Sequence, residues 1–203
     1  MSSMEKRTSP TRRRLTRDDR QRQLLDVAWT IIRNEGTEAL TLGHLAEQAG
    51  VTKPVVYDHF VTRAGLLAAL YRDYDIRQTA LMEEALDKSE PTLKGKAEVI
   101  ASAYVACVLK QGREIPGISA ALAGSPELEK VKRDYETVFI EKCRATLAPF
   151  SGSGTIASAG LWGMLGAAES LSFAAATGDI TAGQAEDELY QTILSMVGRN
   201  AGQ

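Results

Sequence analysis

Residues 41–71, TLGHLAEQAGVTKPVVYDHFVTRAGLLAALY, constrain this chain more than any other stretch. They read as two short helices joined by a tight turn, with a third helix starting at once. Thr41 is placed to cap the first helix, whose apolar positions are Leu42, Leu45, Ala46 and Ala49. Gly50 tolerates the positive φ that is needed where that helix stops. Thr52 is placed to cap the second helix, with Pro54 in its first turn, where a missing N–H costs nothing. That second helix is too short to hold by itself. Its expected outer face is Lys53, Pro54, Tyr57, Asp58 and His59. A small helix positioned by its neighbours, with a polar and aromatic edge, is what a reader of the DNA major groove needs.

Several residues here form a more specific pattern: Thr41, Leu45, Ala46, Ala49-Gly50-Val51, Pro54, Tyr57, His59-Phe60, Arg63 and Leu66-Leu67. By these residues the segment 17–72 resembles the DNA-binding domain of the TetR family of transcriptional regulators. The resemblance implies an all-α fold of about nine helices. An N-terminal three-helix helix-turn-helix domain would be followed by a C-terminal helical domain for ligand binding and dimerisation. It implies a homodimer on a palindromic double-stranded DNA operator. Its activity would be that of a repressor released by a small, mostly apolar effector, with no cofactor and no catalytic residues. It also implies that Tyr57 and His59 hold DNA phosphates, and that Arg63 holds one while joining its helix to the duplex.

The residues themselves suggest the other contacts. Thr41 can offer its hydroxyl and a backbone N–H to a phosphate, and the cap role is compatible with that. At the start of the reading helix, Thr52 joins the DNA-facing set. Lys53 has the chemistry to bond guanine O6 and N7, Val55 or Val56 can touch a thymine methyl, and Pro54 offers van der Waals contact. Gly43 has no side chain with which to reach a base. Asp58 is an acidic residue beside the phosphate-facing edge. These two residues sustain an alternative reading: an all-helical ligand- or partner-binding protein that has lost DNA binding.

Charge is distributed to suit the first reading. The net charge of −2 hides 11 Lys/Arg against 8 Asp/Glu in residues 1–63 and 13 against 18 in residues 64–203. Phosphate contacts therefore belong to the N-terminal part, ahead of an acidic body. Residues 1–15 hold Lys6, Arg7, Arg12, Arg13 and Arg14 without apolar periodicity, as a disordered basic arm that either adds phosphate contacts or is a solvated tail. Cys107 and Cys143 stand alone, and both histidines, His44 and His59, lie in the helix-turn-helix. That leaves no disulfide framework, no metal cluster and no activated nucleophile, which argues against an enzyme and for a cytoplasmic setting. No apolar leader precedes residue 16. Residues 155–178 are uncharged apart from Glu169 but rich in Ala, Gly and Ser, so they read as a closely packed helix and not a membrane span.

Residues 16–62 are assigned to the helix-turn-helix domain and 63–203 to the effector-binding and dimerisation domain. Apolar periodicity predicts helices over about 17–34, 63–86, 93–111, 118–123, 126–147 and 155–177. Thr181 and Gln184 form a capping-box pattern before a last helix. The expected effector lining is Tyr104, Cys107, Tyr135, Phe139, Trp162, Glu169 and Phe173, with Glu169 available to a cationic group. The expected dimer face is Gly160, Gly163 and Ala167 on one helix and Leu189, Ile193 and Met196 on the next, since dimerisation through the last two helices is what the resemblance implies.

Overall fold

A computed structural model describes residues 15–111, 117–118, 121, 126–152 and 155–199. The basic arm up to Arg14, most of the 118–123 segment and Ser125 lie outside these residues. The fold is all-α: α1 (Arg17–Glu35), α2 (Leu42–Gln48), α3 (Lys53–Phe60), α4 (Arg63–Lys88), α5 (Leu93–Gln111), α6 (Pro126–Leu147), α7 (Ser158–Thr177) and α8 (Ala182–Arg199), with no strand among the described residues. No described helix is long and apolar enough to cross a membrane.

Local chemistry sets the helix ends. The Thr16 hydroxyl accepts from the Asp19 N–H at 3.1 Å, and Asp18 and Asp19 place negative charge at the positive end of α1. Thr62 caps α4 through the Gly65 N–H at 3.0 Å. Thr181 and Gln184 form the reciprocal capping box, with bonds of 3.2 and 2.8 Å. Between α2 and α3, Gly50 turns the chain at φ +63°. Between α3 and α4 the turn is sharper. Val61, 71 % exposed, sits at φ 59°, ψ −52°, a strained conformation for a β-branched residue. It drives the first turn of α4 against the end of α3 so closely that a Cβ at Gly65 would collide with the Phe60 carbonyl.

Two apolar clusters result. The first joins Leu24, Ala28 and Ile31 of α1 to Leu45 of α2, and Val56 and Phe60 of α3 to Leu66, Leu67 and Leu70 of α4. Ile118, from beyond α5, is wholly buried in it. The second is built on α5 and α8, with Ile100, Val105, Leu189 and Ile193 at its centre and α6 and α7 packed around it. Among the described residues α4 gives buried side chains to both, through Leu66–Tyr71 at one end and Met82 and Leu86 at the other, and Tyr135 of α6 also packs on the first. Its 26 residues make a rod about 39 Å long.

Candidate nucleic-acid interface and effector cavity

Helix α3 presents two unlike faces. Val56 is fully buried and Phe60 nearly so, whereas Lys53 and Pro54 are exposed and Tyr57 is 50 % exposed. Val56 is therefore corrected: it anchors the reading helix to the core, and the outward valine is the partly buried Val55. Thr41 caps α2, its hydroxyl oxygen accepting from the His44 N–H at 3.1 Å. Thr52 departs from expectation. It holds the cap position of α3, yet its side chain makes no capping bond and remains exposed. Lys53 lies back across α2, its Cε 3.7 Å from where a Gly43 Cβ would stand. A Cβ at 43 would stand in ordinary van der Waals contact with this lysine.

His59 turns half inward among α1, α3 and α4. Its Nδ1 is buried without a partner among the described residues. Burial lowers its pKa, and Arg17 lowers it further against the opposing effect of Asp58. The lowered pKa favours the neutral form of a ring whose Nδ1 is enclosed. Arg17 also reaches the reading helix directly, donating to the Asp58 carbonyl at 3.3 Å. Arg63 is held from within the domain. Its Nε donates to the Leu40 carbonyl and its NH2 group to the Thr37 carbonyl, both at 2.8 Å, with Glu38 at 3.6 Å. The guanidinium fastens the 37–40 turn to the start of α4 through two of its five N–H donors.

A cavity of about 80 Å³ opens between α4, α5, α6 and α7. Five of the seven expected residues line it: Tyr104 and Cys107 from α5, Tyr135 and Phe139 from α6, and Glu169 from α7. Trp162 and Phe173 do not. Trp162 lies under the Arg133 guanidinium at 4.8 Å from its centroid, and Phe173 is 54 % exposed. The wall that sequence reasoning missed is α4, which supplies Tyr71, Tyr74, Asp75, Gln78, Thr79 and Met82. Its signal was present: along that helical face leucines give way at Tyr71 to residues with polar tips, as a cavity wall requires. Two hydroxyl contacts cross the cavity's rim. Tyr74 Oη meets Cys107 Sγ at 2.7 Å, and Arg72 Nε donates to Tyr135 Oη at 2.8 Å. Burial raises both thiols, Cys107 to about 11 and Cys143 to about 12, so neither is a ready nucleophile.

The expected dimer face divides. Leu189, Ile193 and Met196 are at most 1 % exposed inside their own subunit's core and are corrected to core residues. Gly160 belongs with them, because a Cβ there would stand 3.0 Å from Met196 Cγ. Gly163 and Gly166 have nothing within 4 Å of a built Cβ, and with half-buried Ala167 and exposed Phe173 they form an outward strip on α7. An α7 whose inner side is cemented by Leu161, Met164 and Leu165 has this strip as its free side.

Residues 24–70 match the sequence profile of the bacterial regulatory proteins of the tetR family. Over these residues the chain is similar to the N-terminal domain of that family. The TetR profile spans the first apolar cluster from α1 to α4 and includes Thr41, Lys53, Tyr57 and Arg63. The chain is 43 % identical over 63 residues to the HTH-type transcriptional activator FasR of Mycolicibacterium smegmatis, a match covering 30 % of this chain and 29 % of FasR. The chain thus spans less than a third of that curated relative. Two solved structures share the fold. A transcriptional regulator from Rhodococcus sp. Rha1 is 16 % identical with a TM-score of 0.73, covering 90 % of this chain and 98 % of its own. FadR from Bacillus subtilis, solved in complex with stearoyl-CoA, is 17 % identical with a TM-score of 0.71, covering 86 % and 97 %.

Proposed function

We propose that this chain is a ligand-responsive transcriptional regulator of the TetR family, a repressor that binds a palindromic operator as a homodimer and leaves it when a small, mostly apolar effector binds. The observation that carries this reading is the outward face of α3, where Lys53, Pro54 and Tyr57 are exposed on a helix anchored by Val56 and Phe60. One such face makes few base contacts. Two of them on a two-fold axis, half-sites about 34–36 Å apart, supply the selectivity. The strip around Gly163, Gly166 and Ala167 supports pairing through α7, since small residues let backbones approach closely. Residues 16–62 act as the reading domain and 63–203 as the effector and dimer domain. Tyr57, His59 and the helix start at Thr41 contact phosphates, while Lys53 and Val55 read bases.

The effector site is the cavity walled by α4. At about 80 Å³ it must widen to take a ligand, and widening displaces α4, whose first turn abuts the reading helix. The ligand shifts the equilibrium only by its preference for the widened, DNA-incompetent arrangement. FasR is named an activator, but it matches this chain over only 63 residues, 30 % of its length, too little to carry over the sign of its output. A gel shift on the DNA flanking the chain's own gene tests the proposal. Retarded bands that vanish with Lys53→Ala and Tyr57→Ala are expected. Absence of any binding at low salt would overturn it in favour of a helical ligand-binding protein without DNA function.

A further inference from the structure

The charges around the α4 cavity point to a chemical class for its ligand, an inference that rests on the effector-site reading above. The lining contains three carboxylates, Asp75, Glu136 and Glu169, and no lysine, arginine or histidine. Glu136 and Glu169 share one cation, each meeting Lys132 Nζ at 3.0 Å. Asp75 has no hydrogen bond and no ion pair among the described residues. Burial raises its pKa, and Lys142, the cation that opposes this, is itself paired with Glu83. With Lys142 and its partner Glu83 counted in, four carboxylates stand against two ammonium groups, an excess of negative charge toward an entering cation. Where the lining is partly buried, as at Asp75 and Glu136, that imbalance is felt more strongly than in open water.

The walls fit the same ligand. Tyr71, Tyr74, Tyr104 and Tyr135 bring four phenol rings to the cavity, and ring faces attract cations. Tyr104 packs on Phe139 at 5.5 Å between centroids, and burial pushes its pKa well up. Its hydroxyl makes no hydrogen bond with any described residue. An anionic ligand would meet Asp75 and Glu169 with no basic lining residue to hold it. We infer that the effector is a compact organic cation with an aromatic or branched frame, its charge set against Asp75 and its frame among the tyrosine rings. The acyl-CoA thioester bound by FadR, long and polyanionic, is the opposite chemistry and does not carry over to this cavity.

The test uses three soluble probes of similar size with the full chain: phenethylammonium, 2-phenylethanol and 3-phenylpropanoate, each titrated by calorimetry. The ammonium is expected to bind at least about tenfold more tightly than the alcohol, and the carboxylate least. Asp75→Asn should bring the ammonium to within about twofold of the alcohol while leaving the alcohol unchanged, which also reports that the variant is folded. Glu169→Gln provides a second arm, with a smaller loss because Lys132 already meets that carboxylate. Preference for the alcohol or carboxylate, or an ammonium affinity unmoved by both substitutions, would overturn the cation assignment and leave the effector site standing. Failure of all three probes to bind would overturn the effector-site reading itself.

Discussion

Lys53 and Tyr57 stand one helical turn apart on the exposed side of α3, and on the proposed reading their chemistry separates what each would do on DNA. A lysine tip can distinguish guanine from other bases, whereas a tyrosine hydroxyl on a phosphate carries no sequence information. Lys53→Ala is expected to relax preference at one base pair per half-site by about 1–3 kcal/mol. Tyr57→Phe should weaken binding evenly on every sequence. Competition binding across a set of single-base operator variants checks this, and equal loss everywhere for both would contradict the assignment. His59 adds a pH dependence. Its folded pKa is lowered, chiefly by burial and then by Arg17, so the native state favours the neutral ring. The sign follows. The stability it contributes is present above the unfolded value of about 6.5 and is lost as pH falls through the lower folded value. Urea midpoints should therefore drop more for the wild type than for His59→Gln between about pH 7.5 and about pH 5.5. Equal drops would remove His59 from the account. These residues also mark the limit of what the chain's sequence tells a reader. Exposure of Lys53 and Tyr57 was legible from helical period. The burial of Val56 beside the partly open Val55 was not, because two adjacent valines look alike until α1 and α4 decide which one is covered.

Elements were more legible than faces. Caps such as Thr16, Thr62 and the Thr181–Gln184 box are written in short-range chemistry, so helix ends could be read within a few residues. Which side of a helix meets its own chain depends on distant partners. On α7 the small residues divide accordingly, Gly160 facing Met196 inside the subunit and Gly163 and Gly166 facing outward. That division gives two opposite expectations for similar substitutions. Gly160→Val should force α7 from α8 and destabilise the fold by about 1–3 kcal/mol, seen as a lower thermal midpoint. Gly166→Leu should keep full helicity by circular dichroism but move the sedimenting species from dimer to monomer. A dimer that survives Gly166→Leu would place the interface elsewhere. Leu189, Ile193 and Met196, an apolar stripe that suits either a dimer or a core, show why period alone cannot choose between the two.

At the scale of the molecule, two cores share one rod and a few bridges. Trp29 Nε1 donates to Asp73 at 3.0 Å, tying α1 to α4, and the next residue back, Arg72, reaches Tyr135 on the cavity wall. Ile118 is the deepest bridge, a side chain from beyond α5 wholly enclosed by the first cluster. No local pattern announces it, since its partners lie far away in the sequence. If these contacts make the reading head and the body one cooperative unit, both should unfold together. Trp162→Phe leaves Trp29 as the single tryptophan, so fluorescence reports the head while far-ultraviolet dichroism follows all the helices. In that background the two signals should trace one urea transition. Adding Ile118→Ala removes a buried side chain worth about 2–5 kcal/mol, and the Trp29 signal should then move to lower urea ahead of the dichroism. A head that comes loose in this way would have relied on the body for its stability, which a ligand-driven release from DNA requires. Transitions that stay coincident would show that Ile118 is not needed for the coupling.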